Sequence, residues 1–121
     1  MDDQLGAVRE EPPGAVPFDC HAIPLSDGKV AVCVHGEVDS ATAPQLDALL
    51  AEQLALAPRP CGVEVMLEHT TFFGARGITV LLTAAQDARR RQVKFQITGC
   101  SPSLLRVFRI AGAPGLLAAS G

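Results

Sequence analysis

The segment that most constrains the fold of this 121-residue chain is Val30–Leu46, with the sequence VAVCVHGEVDSATAPQL. Its opening run, VAVCV, is apolar on both faces, which indicates a buried strand in a sheet with a helix layer on at least one side. The following turn leads into a helix, because Ser40 and Thr42 are candidate N-cap residues and Pro44 suits the first helical turn. A buried strand that turns directly into a helix is typical of α/β folds.

The rest of the chain alternates strands and helices around this unit. The predicted strands cover Phe18–Leu25, Lys29–His35, Val63–Leu67 and Val93–Thr98, and the predicted helices follow Thr42, span Arg76–Arg91 and follow Ser101. The Ser-Asp-Gly-Lys turn at residues 26–29 makes the first two strands a hairpin, and Pro24 suits an edge strand. The order β-β-α-β-α-β-α predicts an α/β fold: a small mixed sheet of about four strands with helices packed mainly on one side.

The two ends of the chain are predicted to differ from this domain. Residues 1–16 combine acidic residues with Pro12, Pro13 and Gly14 and show no periodic pattern, which predicts a flexible N-terminal tail. Residues 17–121 are then a single domain, with a small apolar tail of undefined form at Ala113–Ala119.

Two motifs together resemble the STAS domain, the fold of bacterial anti-sigma-factor antagonists. They are GEVDSATAP at residues 36–44 and TFFGARGITVLL at residues 71–82, and the resemblance covers roughly residues 18–118. In that family the second motif reads roughly Phe-Leu-Asp-Ser-Ser-Gly-Leu, and a partner kinase phosphorylates its second serine. Here Arg76 stands at the phosphoacceptor position and Gly74 replaces the aspartate.

The resemblance implies a non-enzymatic interaction module that binds an anti-sigma factor, often a serine/threonine kinase, and so regulates sigma-factor-dependent transcription. No cofactor is implied, and a homodimer is left open. The implied partner-binding residues are Glu37, Asp39, Ser40, Thr42, Phe73, Gly74, Ala75, Arg76 and Gly77. The alternatives are a scaffold subunit of a stress-signalling or lipid-transport complex, and a sensor of a nucleotide or another small anionic ligand.

Arg76 has two interpretations. Either regulation was lost and the arginine merely lies in solvent, or its guanidinium makes a permanent contact with an acidic residue of the partner, which its planar fork suits. Neighbouring hydroxyls at Thr70, Thr71 and Thr79 could accept phosphate in its place, although packing or backbone-capping roles are the preferred interpretation. Along an extended strand end, Phe72 is expected in the core, while Phe73 points the opposite way and anchors the partner.

Composition narrows the function classes. The net charge of −3 and the single short basic run at residues 89–91 do not indicate a nucleic-acid surface. No apolar run approaches the roughly 20 residues that span a bilayer, and the acidic N-terminus lacks a secretory pattern. The sequence therefore predicts a cytoplasmic protein without membrane insertion.

The residues that most often carry chemistry are scattered. His21, His35 and His69 match no ligand spacing, so structural roles are expected. The four cysteines show no close pair of the kind that binds zinc, and are expected to be ordinary thiols: Cys20, Cys33, Cys61 and Cys100. No nucleophile is paired with a base, so neither a metal site nor an enzyme is predicted.

Overall fold

The computed structural model describes residues 17–110 of the chain. Its elements are β1 (Asp19–Pro24), a 3₁₀ turn (Ser26–Gly28), β2 (Lys29–Val38), α1 (Ala43–Leu54), β3 (Gly62–Phe73), α2 (Ala75–Arg90), β4 (Lys94–Thr98) and α3 (Pro102–Ile110). This order confirms the predicted β-β-α-β-α-β-α arrangement. The predicted tail at residues 1–16 and the apolar tail at Ala113–Ala119 lie outside the described residues.

The four strands form one mixed sheet in the order β1-β2-β3-β4. β1 pairs antiparallel with β2, whereas the β2–β3 and β3–β4 pairs are parallel. The parallel pairs are connected through α1 and α2, and right-handed crossovers place successive helices on the same side of such a sheet. The sheet therefore has one face covered by helices and one open face, as the sequence predicts.

The core lies between the sheet and the helices. Alternate residues of the strands and one stripe of each helix are buried there. Its fully buried large side chains are Phe108, Leu46, Leu50, Leu54, Leu67, Leu81, Ile97, Val32, Val34, Val38, Val63 and Val65. In α1, Leu46, Leu50 and Leu54 are thus buried, and Leu49 is half-buried.

The strand β3 is longer than predicted, because it continues past Leu67 to Phe73. Its pairing with β2 shifts twice, so that β3 contains two more residues than β2 over the same stretch. Gly36 lies between the two shifts with a φ of 84°, a conformation that glycine adopts without a steric cost. The irregular pairing brings the carboxyl ends of the two strands level with each other.

Side-chain hydrogen bonds fix the start of α3 and the end of α2. Ser101 caps α3, as predicted, since its hydroxyl oxygen accepts a hydrogen bond from the Leu104 N–H at 3.2 Å. Arg91 follows α2 and donates to the Leu54 carbonyl at the end of α1, at 3.1 Å, and to the Asp87 carboxylate at 3.0 Å. Within residues 17–110, no helix is long and apolar enough to cross a membrane.

Candidate functional site

The two motifs that the sequence singles out lie side by side at one edge of the sheet. Val38 and Phe73 are partners in the last step of the β2–β3 pairing. Immediately beyond it, the Gly74 N–H donates to the Val38 carbonyl at 2.8 Å. The loop at residues 37–42 and the turn at residues 71–77 therefore form one continuous surface, which we call the loop surface.

In the first part of the loop surface, Asp39 organises its own turn. One carboxylate oxygen accepts hydrogen bonds from the backbone N–H groups of Ala41 (2.9 Å) and Thr42 (3.0 Å). The Thr42 hydroxyl accepts from the Asp39 N–H and lies 2.9 Å from the Glu37 carbonyl. These two side chains hold the turn closed, and the exposed residues of the loop are Glu37, Ser40 and Ala41.

The expected capping of α1 is only partly correct. Thr42 is the N-cap residue, but its side chain makes no capping hydrogen bond to the helix. Its hydroxyl is turned back into the loop by the contacts with Asp39 and Glu37. Ser40 is not the N-cap; it lies exposed near the tip of the loop. The Asp39 carboxylate instead accepts from the N–H groups of Ala41 and Thr42, which precede the helix.

In the second part of the loop surface, α2 begins without a side-chain cap. Gly74 is its N-cap residue, and no acidic residue lies in its first turn. Arg76, the second residue of the helix, is exposed and has no hydrogen-bond or ion-pair partner within residues 17–110. The positive end of the helix dipole disfavours a cation there by about 0.3–1 kcal/mol. An uncompensated guanidinium thus lies at a site that favours a negative group.

Gly77 lets the start of α2 pack directly on the sheet. It is buried, and a Cβ added there would lie 2.6 Å from Val38 Cγ1 and 2.8 Å from Phe73 Cε2. Real Cβ atoms do not approach other carbons so closely, so only glycine fits without displacing a neighbour. Of the four predicted site residues at Gly74–Gly77, this one therefore has a clear packing role.

The two phenylalanines of the turn are oriented differently from the prediction. The sequence places Phe72 in the core, but its side chain is 54% exposed. Phe73 is half-buried, and its ring lies 6.5 Å from that of the buried Phe108. Two one-residue register shifts precede this point, and together they leave the alternation of the strand unchanged. Phe73 therefore faces inward, on the same side as Val63, Val65 and Leu67.

Of the three threonine hydroxyls near Arg76, two lie within hydrogen-bond distance of backbone carbonyls and one belongs to an exposed residue. Thr70 donates to the Leu67 carbonyl at 2.7 Å, and Thr79 lies 3.2 Å from the Ala75 carbonyl one turn earlier in α2. Thr71 is exposed. These contacts agree with the packing and capping roles that the sequence allows, although the Thr71 and Thr79 side chains are open to solvent.

The structure also brings together three histidines that are far apart in the sequence. The rings of His21, His35 and His69 stack in a row across β1, β2 and β3, with centroid separations of 5.8 and 5.0 Å. The signal was present in the hairpin, because a turn centred on Asp27 pairs Asp19 with His35. Spacing along the chain does not reveal a cluster that forms across strands.

The thiols lie in separate environments. Burial raises the pKa of Cys20, Cys33 and Cys100, and the carboxylates of Asp19 and Glu68 add to the effect at the first two. Cys61 is exposed, and its Sγ lies 2.9 Å from the Asp27 carbonyl. A raised pKa keeps a thiol protonated and therefore unreactive at neutral pH.

Comparison with protein families identifies one match over most of the chain. Residues 21–118 match the family described as Mlab, STAS domain. A protein of Bordetella bronchiseptica that is named as a putative anti-sigma factor antagonist, BtrV, is 33% identical over 86 residues, which is 71% of this chain and 72% of that protein.

Solved structures share the same fold. The anti-sigma factor antagonist SpoIIAA of Bacillus, in its unphosphorylated form, has a TM-score of 0.69 at 16% identity, with 83% of this chain and 86% of that chain covered. An anti-sigma factor antagonist of Mycobacterium paratuberculosis also scores 0.69, at 21% identity and 91% coverage of both chains. The STAS domain of a SulP transporter from Vibrio cholerae scores 0.60, at 21% identity, with 79% and 73% covered.

Proposed function

Because this chain belongs to the STAS domain family, we propose that it is a non-enzymatic binding module that acts as an anti-sigma factor antagonist. In this proposal its partner is an anti-sigma factor of the serine/threonine kinase type, and binding takes place in the cytoplasm. The observation that carries the proposal is the loop surface, to which two adjacent loops contribute the exposed side chains of Glu37, Phe72 and Arg76. The relation to BtrV supports the same conclusion.

Arg76 is the centre of the proposed contact. Its guanidinium is exposed and unpaired within residues 17–110, at a helix end where a cation is unfavourable. A carboxylate on the partner would compensate this charge through two parallel hydrogen bonds, which arginine forms more readily than lysine. The unfavourable interaction of Arg76 with the helix dipole in the free protein would thus be compensated in the complex, which favours binding.

Phe72, rather than Phe73, supplies the apolar anchor of the proposed contact. Phe72 is 54% exposed and precedes the N-cap of α2 by two residues, whereas Phe73 already packs on Phe108. Exposed aromatic side chains beside arginine are the residue types that most often dominate binding energy in protein interfaces. Asp39 and Thr42, which the sequence also predicts as partner-binding residues, act by holding the loop in shape.

The contact is proposed to be permanent rather than switched. An arginine cannot accept phosphate, so binding would be constitutive or set by the abundance of the partner. The test is to incubate the purified protein with an anti-sigma kinase encoded in the same genome and ATP, and then to measure its mass. An unchanged mass is expected; the gain of a phosphate at Ser40, Thr71 or Thr79 would contradict the unswitched mechanism.

Binding to the same kinase tests the loop surface itself. Arg76→Glu should weaken the complex by about tenfold or more, since it replaces an attraction by a repulsion. The matched control is Arg89→Glu, which makes the same charge change at an exposed position in the last turn of α2, about 20 Å away along the helix. Equal losses for both variants, or binding to none of the kinases of the genome, would refute the proposal.

The same substitution should have the opposite effect on stability. Arg76→Glu removes a cation from the positive end of α2 and adds an anion there, and each change is worth about 0.3–1 kcal/mol. Thermal unfolding should therefore show a higher Tm for a variant that binds its partner less well. A variant that loses binding because it is misfolded would show a lower Tm.

A scaffold role is the second candidate, because the same fold occurs in the STAS domain of the Vibrio cholerae transporter. Size-exclusion chromatography discriminates, since a large homo-oligomer favours scaffolding over a monomer or homodimer that binds a kinase. The nucleotide-sensor alternative has less support: a cleft of about 390 Å³ lies between α1 and α2, and Arg76 does not line it. A higher Tm in the presence of ATP or GTP, measured in a thermal shift assay, would support the nucleotide-sensor alternative.

A further inference from the structure

The open face of the sheet carries a cluster of metal-ligating side chains that the proposed partner contact does not use. The hairpin register places Asp19 of β1 directly opposite His35 of β2. His21 is two residues further along β1 and therefore projects from the same face as Asp19. We propose that Asp19, His21 and His35 bind a divalent transition-metal ion of the Zn²⁺ class.

The distances fit such an ion after small side-chain rotations. His21 Nδ1 lies 3.1 Å and His35 Nδ1 4.0 Å from Asp19 Oδ2. One ligand atom from each of the three residues lies within 4.8 Å of the other two. Ligand atoms around a tetrahedral Zn²⁺ are about 3.3 Å apart, given bonds of about 2.0–2.1 Å. The strands fix the three Cα positions, so the ion needs to draw the donor atoms together by at most about 1.5 Å.

A second histidine pair supports the position of the His35 ring. His69 of β3 is the register partner of His35, and the two rings stack at 5.0 Å with an angle of 17° between their planes. His69 Nε2 lies 3.4 Å from a carboxylate oxygen of Glu68. The ring of His35 is thereby held upright between neighbours, and less conformational freedom is lost when it binds an ion.

The donor types select the class of ion. Two imidazole nitrogens with one carboxylate suit Zn²⁺, Ni²⁺ and Cu²⁺, whereas Ca²⁺ and Mg²⁺ prefer oxygen ligands alone. Cys33, the register partner of His21, does not belong to the group; its Sγ lies 3.9 Å from Met66 Sδ instead. Three protein ligands leave at least one coordination position open to water or to an external ligand.

The location gives the ion a structural consequence. Among the strands of residues 17–110, β1 lies at the edge of the sheet and pairs with β2 alone. An ion held by Asp19 and His21 on β1 and by His35 on β2 would link the two strands beyond their backbone hydrogen bonds. Because such an ion binds the folded chain in preference to the unfolded one, it would raise the Tm.

Isothermal titration of the full chain with ZnCl₂, in a metal-free buffer with a reductant, tests the site. The wild-type chain should show saturable binding to a single site and a higher Tm with the metal. His21→Gln and Asp19→Asn should each weaken binding by at least about tenfold. The matched control is His69→Gln, which removes a histidine of the same row and should change the affinity by less than about threefold.

A second measurement identifies the ligands directly. The chain contains three histidines, so imidazole ¹⁵N NMR resolves each ring. Zn²⁺ should shift the Nδ1 resonances of His21 and His35 strongly and those of His69 much less. Absence of saturable binding at about 1 mM Zn²⁺ would overturn the proposal. So would binding that survives His21→Gln, or binding that is lost in His69→Gln or Cys33→Ser.

Discussion

Substitution of Gly77 by alanine should destabilise this protein, although alanine is the better helix former. The new methyl group would lie 2.6 Å from Val38 Cγ1 and 2.8 Å from Phe73 Cε2. Val38 is fully buried and β-branched, so it cannot rotate away at low cost. Overpacking of this kind costs about 1–3 kcal/mol, and the gain in helix propensity offsets about 0.8–1.0 kcal/mol of it.

The expected net loss is about 1–2 kcal/mol, because the closest neighbour is rigid and the cost of overpacking is therefore high. Chemical denaturation monitored by circular dichroism measures it, and the Tm should fall by about 4 °C or more. The matched control is Gly62→Ala in β3, whose added methyl would lie 3.5 Å from Lys29 Cγ and from the Lys94 carbonyl, an ordinary contact distance. That variant should be neutral or slightly stabilised.

A double-mutant cycle tests whether the clash with Val38 causes the loss of stability. Val38→Ala removes the methyl group that the new Cβ would strike, so Gly77→Ala should cost about 1 kcal/mol less in that background. If Gly77→Ala instead raises the Tm of the otherwise wild-type chain, α2 does not pack closely on the end of β2 and the reasoning is refuted.

Three further predictions rest on separate contacts. Cys61 should react first with iodoacetamide at pH 8, because it is exposed. Burial raises the pKa of the other three thiols, Cys20, Cys33 and Cys100, so their reactive thiolate forms appear only at higher pH. Mass spectrometry of tryptic peptides gives the order, and labelling of one of these three half-buried thiols before Cys61 would contradict it. Arg91→Ala should lower the free energy of unfolding by about 1–2 kcal/mol, because it removes the hydrogen bond to the end of α1. The control, Arg90→Ala, removes only an exposed ion pair and should lower that free energy by less than about 0.5 kcal/mol. Ser101→Ala should cost about 1 kcal/mol through loss of the α3 cap, and Ser103→Ala inside that helix serves as its control in the same urea titrations.

Local patterns were sufficient to predict the order of the elements. The apolar run at residues 30–34, the turn at residues 26–29 and the Ser101-Pro102 start of α3 each report a local preference of the backbone. Those features are decided within a few residues, and the structure retains them. The placement of Arg76 in the first turn of α2 followed from the same kind of reasoning.

Pairing between strands accounts for most of what the sequence did not reveal. The stacked histidines depend on the hairpin register, and a difference of one residue in the register would pair His35 with Phe18 or Cys20, whose side chains face the core, in place of Asp19. The orientation of Phe72 is an exception, because the two shifts in the β2–β3 pairing cancel and regular alternation from Val65 and Leu67 already places Phe72 outward. The bonding of Thr42 depends on a competition between Asp39 and the helix for one hydroxyl.

The two additional residues in β3 have an evolutionary consequence. They restore the alternation of the strand, so that Phe73 still faces inward at the point where the chain enters α2. Deletion of one of them would turn every later side chain of the strand to the opposite face, whereas deletion of both would not. Length differences in this strand among homologues should therefore come in even numbers, as paired insertions or paired deletions.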